Sequence, residues 1–335
     1  MLSGNTVRAD TNIVWSDEFN GTSVDTSKWA FDIGNGFESG GYWVPGWGNN
    51  ELEYYTSRTN NVYVAGGFLH IRAQEESYGG QNYTSARLKT LGLFYKMYGR
   101  FEWRVKLPTG TGLWPALWML PENSPYGGWP NSGEIDVMEN NGDHPNYEGA
   151  TVHYGGAGGN DVYSYANYYF SSPDSVTNWH TYDLAWNTNS MQFFVDGNLF
   201  ETQTNWYANV GTSNSKYPYP APFNTPFYIL MNLAIGGTFV GNPSTNEINP
   251  SLPAEVLVDY VRVYDQTPPM VISCAPQPDG SLVLSWPTNI VCHLQAQTNS
   301  LVGGNWSDVA EGTTNPYVVH PDLNQSAVYF RLESP

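Results

Sequence analysis

The chain has 335 residues, a formal net charge of −18 and only 13 lysine and arginine side chains. That charge argues against nucleic acid and anionic membrane surfaces as partners, because both are bound through basic patches. No stretch approaches the ~18 apolar residues of a membrane-spanning helix, and the length allows one large domain and a small second one.

The start of the chain carries no recognisable export signal. Residues 1–10 lack the apolar segment of a secretory signal peptide, so either such a peptide has been removed or there is none. We expect a secreted or extracellular protein.

From residue 13 to about residue 265, short runs of β-branched and aromatic residues alternate with clusters of Gly, Asn and Pro. This pattern is typical of a β-sandwich, and the helical segments that it allows are short. Asp196-Gly197 follows an alternating run and predicts a tight hairpin turn. The predicted strands are residues 12–15, 68–74, 98–106, 133–139, 150–154, 180–186, 190–195, 227–234 and 255–264.

Several segments between these strands are rich in aromatic residues. Two of them are residues 37–55 and 206–222, and a third carries Trp114, Trp118 and Trp129. Exposed rings in a chain with little positive charge suit the apolar faces of neutral sugars, although such rings can equally fill a core. We expect these segments to be loops that form the walls of a binding cleft.

The stretch 133–140, Gly-Glu-Ile-Asp-Val-Met-Glu-Asn, places three carboxylates within six residues in a chain of which only 13% is charged. Concentrated negative charge costs repulsion, and the apolar residues between the acids indicate a half-buried strand. Taken alone, the spacing is also compatible with a solvated strand face or a Ca²⁺ site. We interpret it as a functional site.

The spacing of the three acids predicts an irregular strand. Side chains alternate along a strand, so Glu134 and Asp136 share one face while Glu139 points to the other. One extra residue in a β-bulge between Asp136 and Glu139 brings all three to one face, with Val137 or Met138 turned away. A helix would spread the three acids around its circumference. The sequence therefore predicts a bulged strand across the floor of a cleft.

The composition changes after residue 265. Residues 266–272 have the composition of a linker, and residues 273–335 predict a small β-sandwich module of unknown role without clustered acids. Cys274 and Cys292 are the only cysteines of the chain. If bridged, they would close a loop of about 18 residues worth roughly 3 kcal/mol. The predicted strands of the module are residues 281–286, 293–297, 317–320 and 328–332.

The acidic stretch at 134–139 resembles the Glu-x-Asp-x-x-Glu signature of glycoside hydrolase family 16, in its bulged form. The similarity covers about residues 11–265 and looks like the laminarinase branch of that family, the endo-acting β-1,3-glucanases. Further motifs carry it in order: Trp15-Ser-Asp-Glu-Phe19, Trp47-Gly-Asn-Asn-Glu-Leu-Glu-Tyr-Tyr55, Tyr83-Thr-Ser-Ala-Arg87, Gly112-Leu-Trp-Pro-Ala-Leu-Trp-Met119, Trp129-Pro130, Asn232-Leu-Ala-Ile-Gly-Gly237 and Val258-Asp-Tyr-Val-Arg-Val-Tyr264.

The resemblance implies an all-β, concanavalin A-like jelly-roll sandwich with a concave cleft, and catalysis by two carboxyl groups. By position Glu134 matches the nucleophile and Glu139 the acid/base, which we expect to have the higher pKa. Asp136, between them, would hold Glu134 in place. His153, on the next predicted strand, either hydrogen-bonds the region of the acid/base or is a core residue.

The resemblance also implies substrate-binding residues. Trp114, Trp118 and Trp129 match the family's residues around the cleavage subsite. Asn50 and Arg87 match its sugar-binding groups on the non-reducing side.

A structural calcium ion is implied as well. In many relatives the acid of the Asp-Glu-Phe motif, the Asp of the Asp-Tyr-Val-Arg-Val strand and a glycine carbonyl bind Ca²⁺. The matches here are Glu18, Asp259 and Gly67, with Gly66 as an alternative for the glycine. Oxygen-only ligands suit Ca²⁺. The alternative is that Glu18 and Asp259 are ordinary surface acids.

These observations predict a monomeric retaining endo-β-1,3-glucanase that acts on a neutral β-glucan without an organic cofactor. Alternatives within the same fold are action on mixed-linkage glucan or on an agar-type galactan, and transglycosylation. A rival of another class is a glucan-binding protein without activity, which the three intact acids disfavour.

Overall fold

The computed structural model of the protein describes residues 12–156, 160–265, 272–286, 292–298, 306–309, 312, 314–320 and 328–333. The chain divides into two compact units, one spanning Ile13–Gln266 and the other containing Thr267–Pro335. Apart from residue 272, the predicted linker at 266–272 lies outside the described residues. Within these ranges no helix is long and apolar enough to cross a membrane, and the helix α1, Thr245–Ile248, has four residues.

The larger unit consists of short strands. In chain order they are β1 Ile13–Asp17, β2 Ala30–Asp32, β3 Gly36–Ser39, β4 Tyr42–Pro45, β5 Glu53–Tyr55, β6 Val62–Ala65, β7 Phe68–Tyr78, β8 Gln81–Ser85, β9 Arg87–Lys89, β10 Gly99–Lys106, β11 Leu113–Pro121, β12 Glu134–Glu139, β13 Tyr147–Gly155, β14 Asp161–Tyr169, β15 His180–Trp186, β16 Met191–Val195, β17 Asn198–Gln203, β18 Phe227–Ile235 and β19 Ala254–Tyr264.

Two largely antiparallel sheets form a sandwich. Among the described residues, one sheet has ten strands in the order β17-β16-β15-β10-β19-β7-β8-β5, with β1 beside β19 and β6 beside β7. The other has seven, in the order β14-β13-β12-β11-β18-β9-β2. Their facing surfaces share one apolar core, to which Trp103 and Trp186 contribute from the ten-stranded sheet and Ile135 and Met231 from the seven-stranded sheet. The predicted all-β sandwich is confirmed.

The strands predicted for this unit are all present, and the Asp196-Gly197 turn joins β16 to β17 with positive φ at both residues. The alternating pattern identified them because one face of each packs on the core.

The prediction that Trp114 and Trp118 lie on a loop was wrong, since both belong to β11. Pro115 concealed this strand, because a proline in a central strand removes a hydrogen-bond donor from the ladder. Here the carbonyl of Pro115 still accepts the backbone N–H of Asn140 at 3.2 Å. Both tryptophans are half-buried, and their immediate neighbours in the strand are buried. Strand β11 therefore supplies two rings beside the acids of β12.

The smaller unit is also built from strands: β20 Ser273–Pro276, β21 Leu282–Ser285, β22 His293–Gln297, β23 Ser307–Asp308, β24 Tyr317–Val319 and β25 Tyr329–Glu333. Its described residues form two three-stranded sheets, β20-β21-β24 and β23-β22-β25. Cys292 is buried in a small core with Leu294 and Leu332, whereas Cys274 is exposed. Both cysteines are free thiols, so no disulfide bridges them.

Candidate active site

The acidic strand β12 carries the predicted bulge. Glu134 pairs with His153, Asp136 with Thr151 and Glu139 with Gly149. The step from Asp136 to Glu139 therefore covers three residues on β12, whereas the matching step on β13, from Thr151 to Gly149, covers two. Both Val137 and Met138 are buried in the core, so all three acids lie on the outer face of the seven-stranded sheet.

The turn that leads into this strand depends on Gly133. Its φ of +85° is one that L side chains rarely adopt, and a Cβ atom there would lie 2.6 Å from the ring of Phe223. Because any other residue would be strained and crowded, Gly133 fixes the point at which the acidic strand begins.

Glu139 is half-buried beside aromatic side chains. The indole Nε1 of Trp114 donates to Glu139 Oε1 at 3.0 Å, and the Trp114 ring stacks on Phe239 with centroids 4.8 Å apart. Burial, together with the charge of Asp136, raises the pKa of Glu139 to about 8. Glu139 is thus protonated at neutral pH and can donate a proton.

Glu134 shares the burial but has different partners. Burial and the charge of Asp136 raise its pKa, while the charge of His153 and a hydrogen bond from Trp129 oppose that rise. Trp129 is 55% exposed, so its ring remains open to a ligand. The cation and the indole donor favour the carboxylate form of Glu134 relative to a site without them.

His153 lies against Asp136, next to Glu134, and not against the acid/base Glu139 as the sequence suggested. Its Nε2 is 3.3 Å from Asp136 Oδ2, and its Nδ1 is 2.9 Å from Asp161 Oδ2. Burial works against the charged imidazole, but Asp136, Glu134 and Asp161 outweigh it and raise the pKa of His153 to about 10. The register explains the position, because His153 is directly opposite Glu134.

Glu134, Asp136 and His153 bring potential ligand atoms within 4.8 Å of one another, which is close enough to hold a metal ion. Both ring nitrogens of His153 face carboxylates. A doubly protonated imidazole has no lone pair to offer a metal. The cluster is therefore better described as an ion-paired acid–histidine group than as a metal centre.

A second acidic group lies beyond Trp118. Trp118 Nε1 donates to Asn232 Oδ1 at 2.8 Å, and Asn232 Nδ2 donates to the hydroxyl of Tyr55 at 3.2 Å. That hydroxyl donates to Glu51 Oε2 at 3.0 Å. Glu53 is fully buried beside Glu51, and burial followed by the Glu51 charge raises its pKa. This chain of contacts fixes the Trp118 ring.

The sequence placed Glu51, Glu53 and Tyr55 in a cleft-wall loop and gave them no role. Their spacing of two residues along the chain was a usable signal, since it puts them on one side of an extended segment. Their link to Asn232 was not readable, because 177 residues separate it from Tyr55.

The two polar residues expected to bind sugar differ in their settings. Arg87 is largely buried, with its guanidinium 4.7 Å from the ring centre of Trp47 and 4.5 Å from that of Trp118, and it pairs with Asp32 at 3.0 Å. Its guanidinium therefore packs against both rings. Asn50 is exposed in a turn with φ of 63°.

The predicted calcium ligands lie near one another along β19. Glu18 directly follows β1 and Gly67 directly precedes β7, and both of those strands pair with β19, which contains Asp259. However, Glu18 receives two hydrogen bonds from Arg262, at 2.9 and 2.8 Å, and Asp259 is bound by Arg104. With both carboxylates occupied by arginines, these side chains do not fit a calcium ion as placed, and calcium binding stays a prediction.

An open face of a β-sandwich that carries two half-buried glutamates, an aspartate between them and indole donors to both is the arrangement of a glycoside hydrolase. The model for glycosyl hydrolases family 16 matches residues 49–252. The chain belongs to this family.

Individual relatives agree with the family assignment. Glucan endo-1,3-beta-glucosidase A1 of Niallia circulans is 42% identical over 269 residues, which cover 77% of this chain and 38% of that protein. Beta-glucanase of Rhodothermus marinus is 40% identical over 263 residues, covering 75% of this chain and 84% of that one. The solved laminarinase structure from R. marinus superposes with a TM-score of 0.64 at 39% identity, over 76% of this chain and 98% of that one.

Proposed function

We infer that the enzyme hydrolyses internal β-1,3 linkages of a neutral, laminarin-type β-glucan with retention of anomeric configuration. The bulge of β12 carries this inference, because it puts Glu134, Asp136 and Glu139 on one face. The names of the relatives, a glucan endo-1,3-beta-glucosidase and a laminarinase, support the choice of substrate. A monomeric, secreted enzyme remains our expectation.

Glu134 acts as the nucleophile in this proposal. A carboxylate oxygen of Glu134 attacks the anomeric carbon and the glycosidic bond breaks, which leaves a covalent glycosyl-enzyme. The hydrogen bond from Trp129 and the charge of His153 support the carboxylate form that this step needs.

Glu139 acts as the acid and then as the base. It gives its proton to the departing glycosidic oxygen, and as a carboxylate it then takes a proton from the water that attacks the glycosyl-enzyme. Its pKa of about 8 supports the protonated resting state.

Asp136 and His153 are positioning residues. The ion pair between them holds a negative charge near both glutamates, and this charge raises the pKa of Glu139. His153 in turn limits the same effect on the nearer Glu134. Burial is the largest cause of the raised pKa in both glutamates, and the charge of His153 opposes it in both.

Product analysis on laminarin, curdlan, lichenan and agarose tests the substrate. We expect oligosaccharides of intermediate length from laminarin at early times, as endo-cleavage requires, and NMR of the first products to show the β-anomer. Preferred cleavage of lichenan or agarose would replace the laminarin assignment. With a short β-1,3-glucan oligosaccharide as the substrate, products longer than that oligosaccharide would indicate transglycosylation. Binding without released sugar would indicate a binding protein.

A further inference from the structure

The edge strand β14 presents a row of tyrosines that the proposed mechanism does not use. Its side chains alternate between exposed and half-buried along its length. Tyr163, Tyr165 and Tyr169 are 58%, 63% and 64% exposed. We name these three side chains the tyrosine row. Large exposed aromatic side chains in a line along one strand are unusual for a surface without a ligand.

The tyrosine row lies on the same face of the sheet as the catalytic acids. Glu134 is opposite His153 on β13, and His153 is opposite Tyr163 on β14. One step along, Asp136, Thr151 and Tyr165 stand opposite one another in the same way. Residues directly opposite in antiparallel strands share a face. The row therefore continues the surface that carries the acids, two strands or about 10 Å away from β12.

A continuous series of rings connects the row to the acids. The ring centres of Trp129 and His153 are 5.8 Å apart, those of His153 and Tyr163 are 5.7 Å apart, and those of Tyr163 and Tyr165 are 6.1 Å apart. Because Trp129 bonds Glu134, the series begins at the proposed nucleophile.

The chemistry of the row fits a neutral sugar chain. Strand β14 contains no lysine or arginine, and its only charged residue, Asp161, is bound to His153. Tyrosine rings offer an apolar face for a sugar and a hydroxyl at the rim. A second copy of this chain is a poorer occupant, because two chains of net charge −18 repel each other.

We propose that the tyrosine row binds the sugar units of the glucan chain that lie on the far side of the cleavage point from Arg87. In the strand order β14 and Arg87, on β9, stand on opposite sides of β12. A glucan that runs from the Arg87 side of the sheet across the acids and continues in the same direction reaches the row. This inference rests on the proposed function and adds a binding surface for the leaving-group side of the substrate.

The experiment compares laminarin with an aryl laminaribioside, whose leaving group contains no sugar. For Tyr163→Ala and Tyr165→Ala we expect kcat/KM on laminarin to fall about three- to tenfold each, with little change on the aryl substrate. Tyr165→Phe should keep most of the activity, since the ring face and not the hydroxyl binds. Tyr95→Ala is the control, because Tyr95 is 50% exposed in the turn between β9 and β10.

Three results would overturn the proposal. They are unchanged activity of both alanine variants on laminarin, an equal loss on both substrates, and a change in molecular mass by light scattering that shows the row to be an interface between copies. If the unmutated enzyme released no sugar from laminarin, the proposed function would fail instead. Affinity electrophoresis in laminarin gels would still test the row: weaker retardation of the double variant supports it, and equal retardation refutes it.

Discussion

Two groups of carboxylates, one on each sheet, have opposite electrostatic settings. On the ten-stranded sheet, Glu76 of β7 is paired with Arg58, and Glu255 of β19 is paired with Arg72. These pairs, together with other hydrogen bonds, hold the pKa of Glu76 at about 2 and that of Glu255 below its ordinary value.

On the outer face of the seven-stranded sheet, the acids of β12 have no arginine partner among the described residues, and a histidine is their cation. The pKa values of Glu134 and Glu139 are raised, with burial as the main cause. The same kind of side chain thus serves as a permanent anion where arginine neutralises it, and as a proton carrier where burial and a neighbouring carboxylate raise its pKa. The chain has only 13 lysine and arginine residues, and the catalytic acids are among the carboxylates without an arginine partner in the described part of the chain.

The largest expected effect is the loss of activity on substituting Glu134 or Glu139, the two glutamates of β12 that have no arginine partner among the described residues. Glu134→Gln and Glu139→Gln should each reduce kcat on laminarin by at least about 10³-fold, because an amide neither attacks nor transfers the proton. Reducing-sugar release measures this, with thermal unfolding as the check on folding. Glu75→Gln, an exposed acid on β7, is the matched control. Activity of either site variant within tenfold of the unmutated enzyme would refute the assigned roles.

The second effect concerns pH. Because the pKa of Glu139 is about 8 and the first step needs its proton, kcat/KM on laminarin should fall about tenfold per pH unit above pH 8. An aryl substrate with an acidic leaving group should show a weaker decline, since it needs less protonation. A laminarin profile that stays flat to pH 10 would contradict a protonated Glu139.

The third effect concerns the stability contribution of Glu148, a buried acid that has neither an arginine partner within the described ranges nor a proposed catalytic role. Glu148 is fully buried on the core side of β13, neither of its oxygens has a hydrogen-bond partner among the described residues, and burial raises its pKa. An acid with a raised folded pKa loses stability as pH rises above its unfolded value.

Glu148→Gln should therefore increase the free energy of unfolding by about 1–2 kcal/mol at pH 8 and leave it nearly unchanged at pH 4. Urea unfolding at the two pH values measures the difference. A variant equally stable or less stable than the unmutated protein at pH 8 would contradict the prediction that the Glu148 carboxyl destabilises the fold at this pH.

The smallest effect comes from the arginine-paired acids. The lowered pKa of Glu76 gives stability that is present above pH 4.5 and is lost as pH falls towards 2. Because the pair is partly exposed, Arg58→Met should cost only about 1 kcal/mol at pH 7 and less at pH 2, with activity unchanged.

Urea unfolding again measures the change, and Lys96→Met is the control, since its partner Asp265 is 54% exposed. A loss of laminarin hydrolysis in Arg58→Met without a loss of stability would contradict the division between structural acids paired with arginine and catalytic acids without arginine.

The sequence could predict what depends on local periodicity. The strands with one core face, the turn at Asp196-Gly197 and the bulge between Asp136 and Glu139 all follow from the alternation of side chains. Strand β11 was missed because Pro115 contradicts a central strand by ordinary rules. The row on β14 was missed although Tyr163 and Tyr165 are two residues apart, a spacing that puts both on one face of a strand.

What could not be predicted depends on contacts between distant residues. The placement of His153 against Asp136 follows from the register of β12 on β13. The chain from Glu51 through Tyr55 to Asn232 joins residues that only the fold brings together. The pairing of Glu18 with Arg262 spans 244 residues, so a reading of the acid alone could not anticipate its arginine.

The bulge in β12 also determines how the length of this strand can change. Deleting Val137 or Met138 would restore a regular ladder and leave the three acids on the outer face, because the remaining spacing is even. Deleting Ile135 would turn one acid into the core, where an unpaired carboxylate is expensive. A loss of one codon is therefore compatible with the site only between Asp136 and Glu139, and this is where the spacing of the acids can diversify among related genes.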